Sequence, residues 1–159
     1  MKGFNLAEGG HFVNVVPPKD ITGGVTGDRF SMKHFQHASI IVQLGVSAAA
    51  PSAIIVRSCT AETSGTATAI PFRYYSETTA AGDTLSAKAD ATASGITTIT
   101  ANDGCFYVIE IDSEELEDGA PWVEVAITNT TNSVIASVGV VLSGARYRGS
   151  AGLGITAIA

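Results

Sequence analysis

The sequence predicts an all-β fold, an antiparallel β-sandwich of either jelly-roll-like or immunoglobulin-like topology, with an extended N-terminal arm. Three observations support this class: apolar and polar residues alternate with a period of two, Thr, Val and Ile dominate the alternating runs, and turn-forming stretches separate them. Connections this short leave no room for crossover helices, which favours antiparallel pairing. The alternation does not distinguish the two sandwich topologies, so both stay open at this stage.

Five runs place apolar residues on one face of a strand, and we expect that face to point into the core. The inward positions are Ala38, Ile40, Val42 and Leu44, then Ile70, Phe72 and Tyr74, then Cys105, Tyr107, Ile109 and Ile111, then Val123, Val125 and Ile127, and finally Val134, Ala136, Val138, Val140 and Leu142. Weaker patterns predict further strands over residues 11–16, 53–60 and 96–101, and within 84–94. Pro71 cannot donate a ladder hydrogen bond, so its strand is expected at a sheet edge or with a bulge.

The 159 residues suit one domain with a substantial core, divided into three segments. Residues 1–33 contain Pro-Pro and Gly-Gly pairs and little continuous alternation, so they are expected to form an extended arm. Residues 34–148 form the sandwich, and the Gly-rich, then apolar residues 149–159 form a flexible or partner-bound tail. Deleting residues 1–20 is therefore predicted to leave the domain folded while weakening assembly.

The chain carries few charges, and its polarity comes mainly from Thr, Ser, Asn and Gly. Such a surface suits contact with other proteins, because few charges lose their hydration on contact. A net charge of −6 argues against a nucleic-acid partner, since phosphate binding relies on clustered Lys and Arg. No apolar run approaches the roughly 20 residues that cross a bilayer, and no signal peptide is expected, so no membrane association is predicted.

The two cysteines, Cys59 and Cys105, lie inside apolar runs. We expect them to be free, buried thiols in a protein made in a reducing cytoplasm. A disulfide between neighbouring strands stays open as an alternative.

An acidic stretch, residues 110–118, separates two of the apolar runs. Its carboxylates are Glu110, Asp112, Glu114, Glu115, Glu117 and Asp118. We expect a solvated loop joining two strands as a hairpin, with one helical turn that Asp112 caps together with Glu115. The spacing fails the calcium-loop pattern at Leu116, its third ligand position, so whether the loop binds a cation stays open. Mutually exposed acids also lack the paired environments that a catalytic acid and base require.

The remaining residue types propose no reaction. His34 and His37 are three residues apart, but neither a cysteine nor a third histidine follows in metal-binding spacing, so surface or packing roles are expected. The chain contains no Cys-x-x-Cys and no Gly-x-Ser-x-Gly, and GSAGLG leads into no predicted helix. We therefore predict a protein without enzymatic activity, metal or cofactor.

Three aromatic residues, Tyr75, Phe106 and Trp122, fall on the outward sides of their strands. They are either covered by the arm and loops or available for subunit or sugar contacts, since amphipathic rings favour interfaces. Both interpretations stay open.

Four stretches of the chain resemble small structural proteins encoded in the head and packaging gene clusters of tailed bacteriophages. They are VNVVPPKDITGGVTGDRFSM, ASIIVQLGVSAAAPSAIIVRSCTAETSGTATAIPFRYYSETTAAGDTLSA, FYVIEIDSEELEDGAPWVEVAIT and the closing LSGARYRG. The similarity spans roughly residues 10 to 148 and rests on the wording of these sequence stretches and on the order of the predicted strands, not on a diagnostic motif.

This resemblance implies a capsid decoration, or cement, protein located in the virion. Such a protein is β-rich, carries no catalytic residues or cofactor, oligomerises, often as a homotrimer, and docks on the outside of the major capsid protein shell. The arm would then reach a neighbouring subunit or the capsid. The candidate contact residues are Phe12, Val13, Val15, Tyr75, Trp122, Arg146 and Arg148. Two alternatives stay open: a head–tail connector or tail structural protein, and a carbohydrate-binding β-sandwich that uses Trp122 and Tyr75.

Overall fold

Two antiparallel sheets packed face to face make up the computed structural model, which describes residues 5–80, 82–129, 131–146 and 156–158. The all-β sandwich is thereby confirmed. The elements are the helix α1 (Leu6–Gly9), the strands β1 (His11–Asp20), β2 (Val25–Thr26), β3 (Phe30–Ser31), β4 (Phe35–Ser47), β5 (Ala53–Cys59), β6 (Ala67–Ala69), β7 (Phe72–Glu77), β8 (Ala89–Ala91) and β9 (Cys105–Asp112), a 3-10 turn (Ser113–Glu115), and the strands β10 (Trp122–Thr128) and β11 (Val134–Ala145).

The strand order identifies the topology as a jelly roll. The first sheet runs β1-β11-β4-β9-β7-β8, and the second runs β2-β10-β5-β6, with β3 also pairing with β10. Early strands pair with late ones in a nested series: β1 with β11, β2 with β10, β4 with β9, and β5 with β6. This nested antiparallel pairing over two sheets is the jelly-roll arrangement, and β7 and β8 extend the first sheet. The immunoglobulin-like alternative is wrong.

The core lies between the two sheets and is built by the predicted alternation. All the inward positions of the five runs are buried except Tyr74, which is partly buried and packs against the core. Pro71 lies between β6, in the second sheet, and β7, in the first. The chain therefore changes sheets where the proline has no ladder partner to lose.

The predicted arm is wrong for residues 11–33, which belong to the sandwich. Strand β1 pairs with β11, and its residues Val13, Val15 and Val16 are buried in the core. The register shifts between Asn14 and Val16, so two consecutive valines are buried and the period of two is interrupted. Pro17 and Pro18 are tolerated because β1 is an edge strand. A bulged edge strand therefore resembles an irregular lead-in at the level of sequence.

Several smaller predictions have mixed outcomes. The strand over 53–60 is confirmed as β5, whereas residues 96–101 contribute only a bridge from Ile96 to Ile54, and only Ala89–Ala91 form a strand within 84–94. The free, buried state of both cysteines is confirmed. The last described residues of the predicted tail pack on this chain itself: the backbone N–H of Ser31 donates to the carbonyl of Ala157 at 2.8 Å. Residues 149–155 and 159 lie outside the described part. Among the described residues, no helix has the length and apolar content to cross a bilayer.

Candidate functional site

The outer face of the first sheet, which points away from the core, carries a continuous row of apolar side chains. Gly139, Ile41, Val108 and Tyr75 stand in register on the adjacent strands β11, β4, β9 and β7. Phe12 of β1 lies over Gly139, where an added Cβ would stand 2.8 Å from the ring. We call these five residues the apolar row. Strands about 4.8 Å apart give the row a length of about 19 Å.

The apolar row is accessible in the single chain. Phe12 is 56% exposed and Ile41 is 37% exposed, although both belong to strands of a sheet whose opposite face packs against the core. An adjacent shallow depression of about 370 Å³ is lined by Phe12, Ile41 and Gly139 together with polar neighbours. Large apolar side chains aligned across neighbouring strands are typical of a surface that contacts another protein.

A cluster of hydrogen-bonded polar residues lies beside the apolar row. It comprises His37 and Ser39 of β4, Arg73 of β7, and Glu110 and Asp112 of β9, and we call it the His37 cluster. The Nδ1 of His37 lies 2.7 Å from Asp112, its Nε2 lies 2.8 Å from Glu110, and the Ser39 hydroxyl donates to Glu110 at 2.6 Å. Arg73 of β7 also pairs with Asp112, so side chains of three adjacent strands are linked on the outer face.

The geometry of the His37 cluster favours a doubly protonated imidazole. An ionised carboxylate only accepts hydrogen bonds, so each ring nitrogen that faces one must carry a proton. Partial burial disfavours the charged ring, but the hydrogen bonds to Asp112 and Glu110 outweigh it and raise the pKa of His37. The hydrogen bond from Arg73, followed by that from His37, lowers the pKa of Asp112. The charged forms of His37, Arg73 and Asp112 therefore stabilise one another.

The acidic stretch is anchored by this cluster and does not form a hairpin. β9 belongs to the first sheet and β10 to the second, so residues 113–121 cross from one sheet to the other, and the predicted hairpin is wrong. The predicted helical turn is confirmed as the 3-10 turn, and Glu115 accepts from the backbone N–H of Asp112 at 2.8 Å. Arg73 pairs with both Asp112 and Glu115. Part of the acidic charge is therefore neutralised.

The ring of His37 lies between the Ser39 hydroxyl and the Asp112 carboxylate, as in the catalytic triad of a serine hydrolase, but the hydrogen bonds differ. The Ser39 hydroxyl lies 3.4 Å from Nε2 of His37, while it donates to Glu110 at the shorter distance of 2.6 Å. In a hydrolase, Nε2 must offer a lone pair to the serine proton. Here Nε2 points at the same Glu110 oxygen that accepts from Ser39. This arrangement stabilises a charged histidine and does not activate the serine.

A second ionic group lies on the outer side of the second sheet. Glu124 of β10, with a side chain only 9% exposed, accepts from Arg29 at 3.0 Å and from Arg57 at 2.9 Å. Arg29 also donates to the carbonyl of Ala61 at 2.8 Å. Because all the polar groups that converge here are paired, the group ties β5, β10 and their flanking segments together.

Among the described residues, no group of three or more His, Cys, Asp and Glu side chains is placed to hold a metal ion. The acidic turn borders a shallow cavity of about 350 Å³ whose lining includes Lys33, Glu117 and Arg146. Basic and acidic side chains share its rim, so it offers no field of a single sign to an ion.

The predicted contact residues lie in different environments. Phe12 and Tyr75 both lie on the outer face of the first sheet, at opposite ends of the apolar row. Val13 and Val15 are core residues, so their predicted role as contact residues is wrong. The alternation of β1 turns them inward when Phe12 turns outward.

The other predicted contact residues lie elsewhere. Trp122 is part of β10 in the second sheet, so it cannot form one sugar-binding platform with Tyr75 of the first. Arg146 follows β11 and donates to the Ser113 hydroxyl at 2.9 Å. Arg148 lies outside the described residues.

Sequence reasoning placed Glu110 and Asp112 on the outward side of their strand but missed their partners. His37 and Ser39 have the parity opposite to the inward Ala38 and Ile40, which was the available signal. That β4 lies beside β9 follows only from the strand order, because more than seventy positions of the chain separate His37 and Ser39 from their carboxylate partners.

Comparisons of the chain with protein-family models, with curated proteins and with solved structures found no match.

Proposed function

We propose that this chain is a non-enzymatic structural protein of a tailed-phage virion that decorates the outside of the capsid shell. It docks on the major capsid protein through the outer face of its first sheet, and it self-associates as a homotrimer. The resemblance of residues 10–148 to phage head proteins supports the proposed location in the virion. The apolar row is the observation that carries the docking surface.

Three features of the molecule support this proposal. Jelly-roll sandwiches recur in viral capsid domains, although they also occur in lectins and cupins, so the fold alone does not assign the role. The His37 cluster holds its serine and histidine in a bonding state unsuited to nucleophilic attack. The apolar row offers the desolvated centre, and the His37 cluster the polar rim, that protein interfaces combine.

The experiment is co-sedimentation of the purified protein with empty shells assembled from the major capsid protein encoded in the same genome. The wild type should pellet with the shells and saturate at a fixed ratio to the capsid subunit. The affinity of the Phe12→Ser variant for the shells should be at least tenfold lower, because the substitution removes the most exposed ring of the apolar row.

Leu85→Ser is the matched control. Leu85 is also a large exposed apolar residue, but it lies between β7 and β8, outside every strand. This variant should pellet like the wild type. A wild-type protein that stays in the supernatant at all shell concentrations would exclude the capsid role. Electron microscopy separates the connector or tail alternative, which requires density at one vertex or along the tail instead of over the whole lattice.

A further inference from the structure

The His37 cluster joins two neighbouring strands through one titratable ring. Its Nδ1 reaches Asp112 and its Nε2 reaches Glu110, both on β9, while the ring itself belongs to β4. Only the doubly protonated ring can donate to both carboxylates at once, since each is an acceptor. We propose that His37 is a proton-operated clip: protonated, it holds Glu110 and Asp112 against β4, and on losing one proton it releases Glu110 to solvent beside the apolar row.

The surrounding groups decide which nitrogen loses the proton. Asp112 is also held by Arg73, which keeps that carboxylate ionised and favours a proton on Nδ1. Nε2 has a ready replacement, because the Ser39 hydroxyl lies 3.4 Å away and can turn its hydrogen from Glu110 to the ring. When Nε2 loses its proton, Glu110 therefore loses both hydrogen bonds that it accepts, the one from Nε2 and the one from the Ser39 hydroxyl.

The charged groups around the ring come from the neighbouring strand β9, from β7 and from the 3-10 turn. Glu110 and Asp112 face it from β9, Ser39 shares β4 with it, and Arg73 approaches from β7. Glu115 of the 3-10 turn faces Arg73, and on β11 the residue in register with His37 is the uncharged Ser143.

The charge of the cluster follows from these groups. Two cations, His37 and Arg73, oppose the three carboxylates of Glu110, Asp112 and Glu115 while the clip is closed. Deprotonation leaves one cation against three carboxylates. The outer face then presents an unpaired carboxylate that a docking partner must desolvate. Docking through this face, which rests on the proposed function, should therefore weaken above the titration midpoint of His37.

The direct test is nitrogen-edited NMR of the histidine rings of the full chain over about pH 5 to 9, around the ordinary histidine pKa of about 6.5. The His37 midpoint should lie above that ordinary value, and Nε2 should be the nitrogen that loses its proton. Glu110→Gln should lower the midpoint, because it removes a charged acceptor. A midpoint at or below the ordinary value, or one that Glu110→Gln leaves unchanged, overturns the clip.

The variant Ser39→Ala provides a second test of the His37 clip if Glu110→Gln does not fold. It removes the hydroxyl that stabilises the neutral ring and that shares Glu110 with Nε2, so the His37 midpoint should rise. A fall in the midpoint would contradict the proposed replacement.

Co-sedimentation with shells on either side of the midpoint tests the consequence for docking. The wild type should bind less at the higher pH, while His37→Gln should bind equally at both. Binding by the wild type that does not change with pH overturns the docking consequence. No binding at any pH would instead contradict the proposed function, and the NMR titration would still decide the clip.

Discussion

Gly95 lies against the backbone carbonyl of Ile54, so closely that a Cβ added at Gly95 would overlap with that oxygen. The glycine has a φ of +80° and ends the tight turn that begins at Thr92. The next residue, Ile96, exchanges two backbone hydrogen bonds with Ile54, of 2.9 and 3.0 Å. The close approach thus pins the segment after β8, at the edge of the first sheet, to β5 of the second.

Gly95→Ala should therefore lower the free energy of unfolding by roughly 3–4 kcal/mol. About 1–2 kcal/mol comes from placing alanine in the left-handed region, and about 1 kcal/mol more from each of the bridge hydrogen bonds that the displaced backbone weakens. Urea denaturation monitored by circular dichroism measures the loss. Gly23→Ala is the control: its φ is +82° but nothing lies within 4 Å of the new Cβ, so only the about 1–2 kcal/mol of the left-handed conformation should be lost. Equal losses in both variants would contradict the overlap.

The ionic group around Glu124 should contribute far more to stability than an exposed pair. Glu124→Gln leaves Arg29 and Arg57 beside a neutral acceptor in a largely buried position, and a loss of roughly 2–3 kcal/mol is expected. The control is Asp90→Asn, which breaks the pair with Lys88; their side chains are 73% and 55% exposed, so under about 0.5 kcal/mol should be lost. Chemical denaturation of the two variants under the same conditions measures the two losses of unfolding free energy. A near-zero effect of Glu124→Gln would show that the buried pairs contribute little.

Truncation separates the helix α1 from the strand that follows it. A chain that begins at Gly10 loses α1, which contributes no buried residue, and should keep a cooperative thermal transition. A chain that begins at Ile21 loses β1 with its three core valines and exposes the buried edge of β11, so no cooperative transition is expected. This prediction is the opposite of the one drawn from the sequence, because β1 belongs to the sandwich. Calorimetry measures both transitions. If the chain that begins at Ile21 unfolds cooperatively, β1 is dispensable for folding and the predicted arm is correct.

Stability should also depend on pH through His37. Its pKa is raised in the folded state, because the hydrogen bonds to Asp112 and Glu110 outweigh the effect of burial. The protonated ring therefore contributes fully below the unfolded-state pKa of about 6.5, and this contribution is lost as the pH rises through the folded-state value. The difference in unfolding free energy between wild type and His37→Gln should shrink over that window. The control His11→Gln, which alters a ring stacked on Phe35, should retain the wild-type fall. A difference that stays constant with pH would argue against the ionised cluster.

The core of the sandwich was predictable from local pattern. Ile40, Tyr107 and Val138 are buried as their alternation requires, because successive side chains of any strand point to opposite faces. The turn at Asp112 was predictable for a similar reason, since an acidic cap and an acid three residues later are a local signal. The bulge in β1 was not predictable, because it is stabilised by pairing with β11, more than a hundred residues away in the chain.

By itself, then, the sequence determined the class of fold, the inward face of each main strand and the outward position of Glu110 and Asp112. Those properties follow from the two-residue period of an extended backbone, which each segment carries independently of the others. Only the tertiary structure decided that β4 lies beside β9, and so that His37 meets two carboxylates and that Ile41 continues a row from Phe12 to Tyr75. Strand order depends on which arrangement of the two sheets buries all the inward faces together, a condition that no single segment contains.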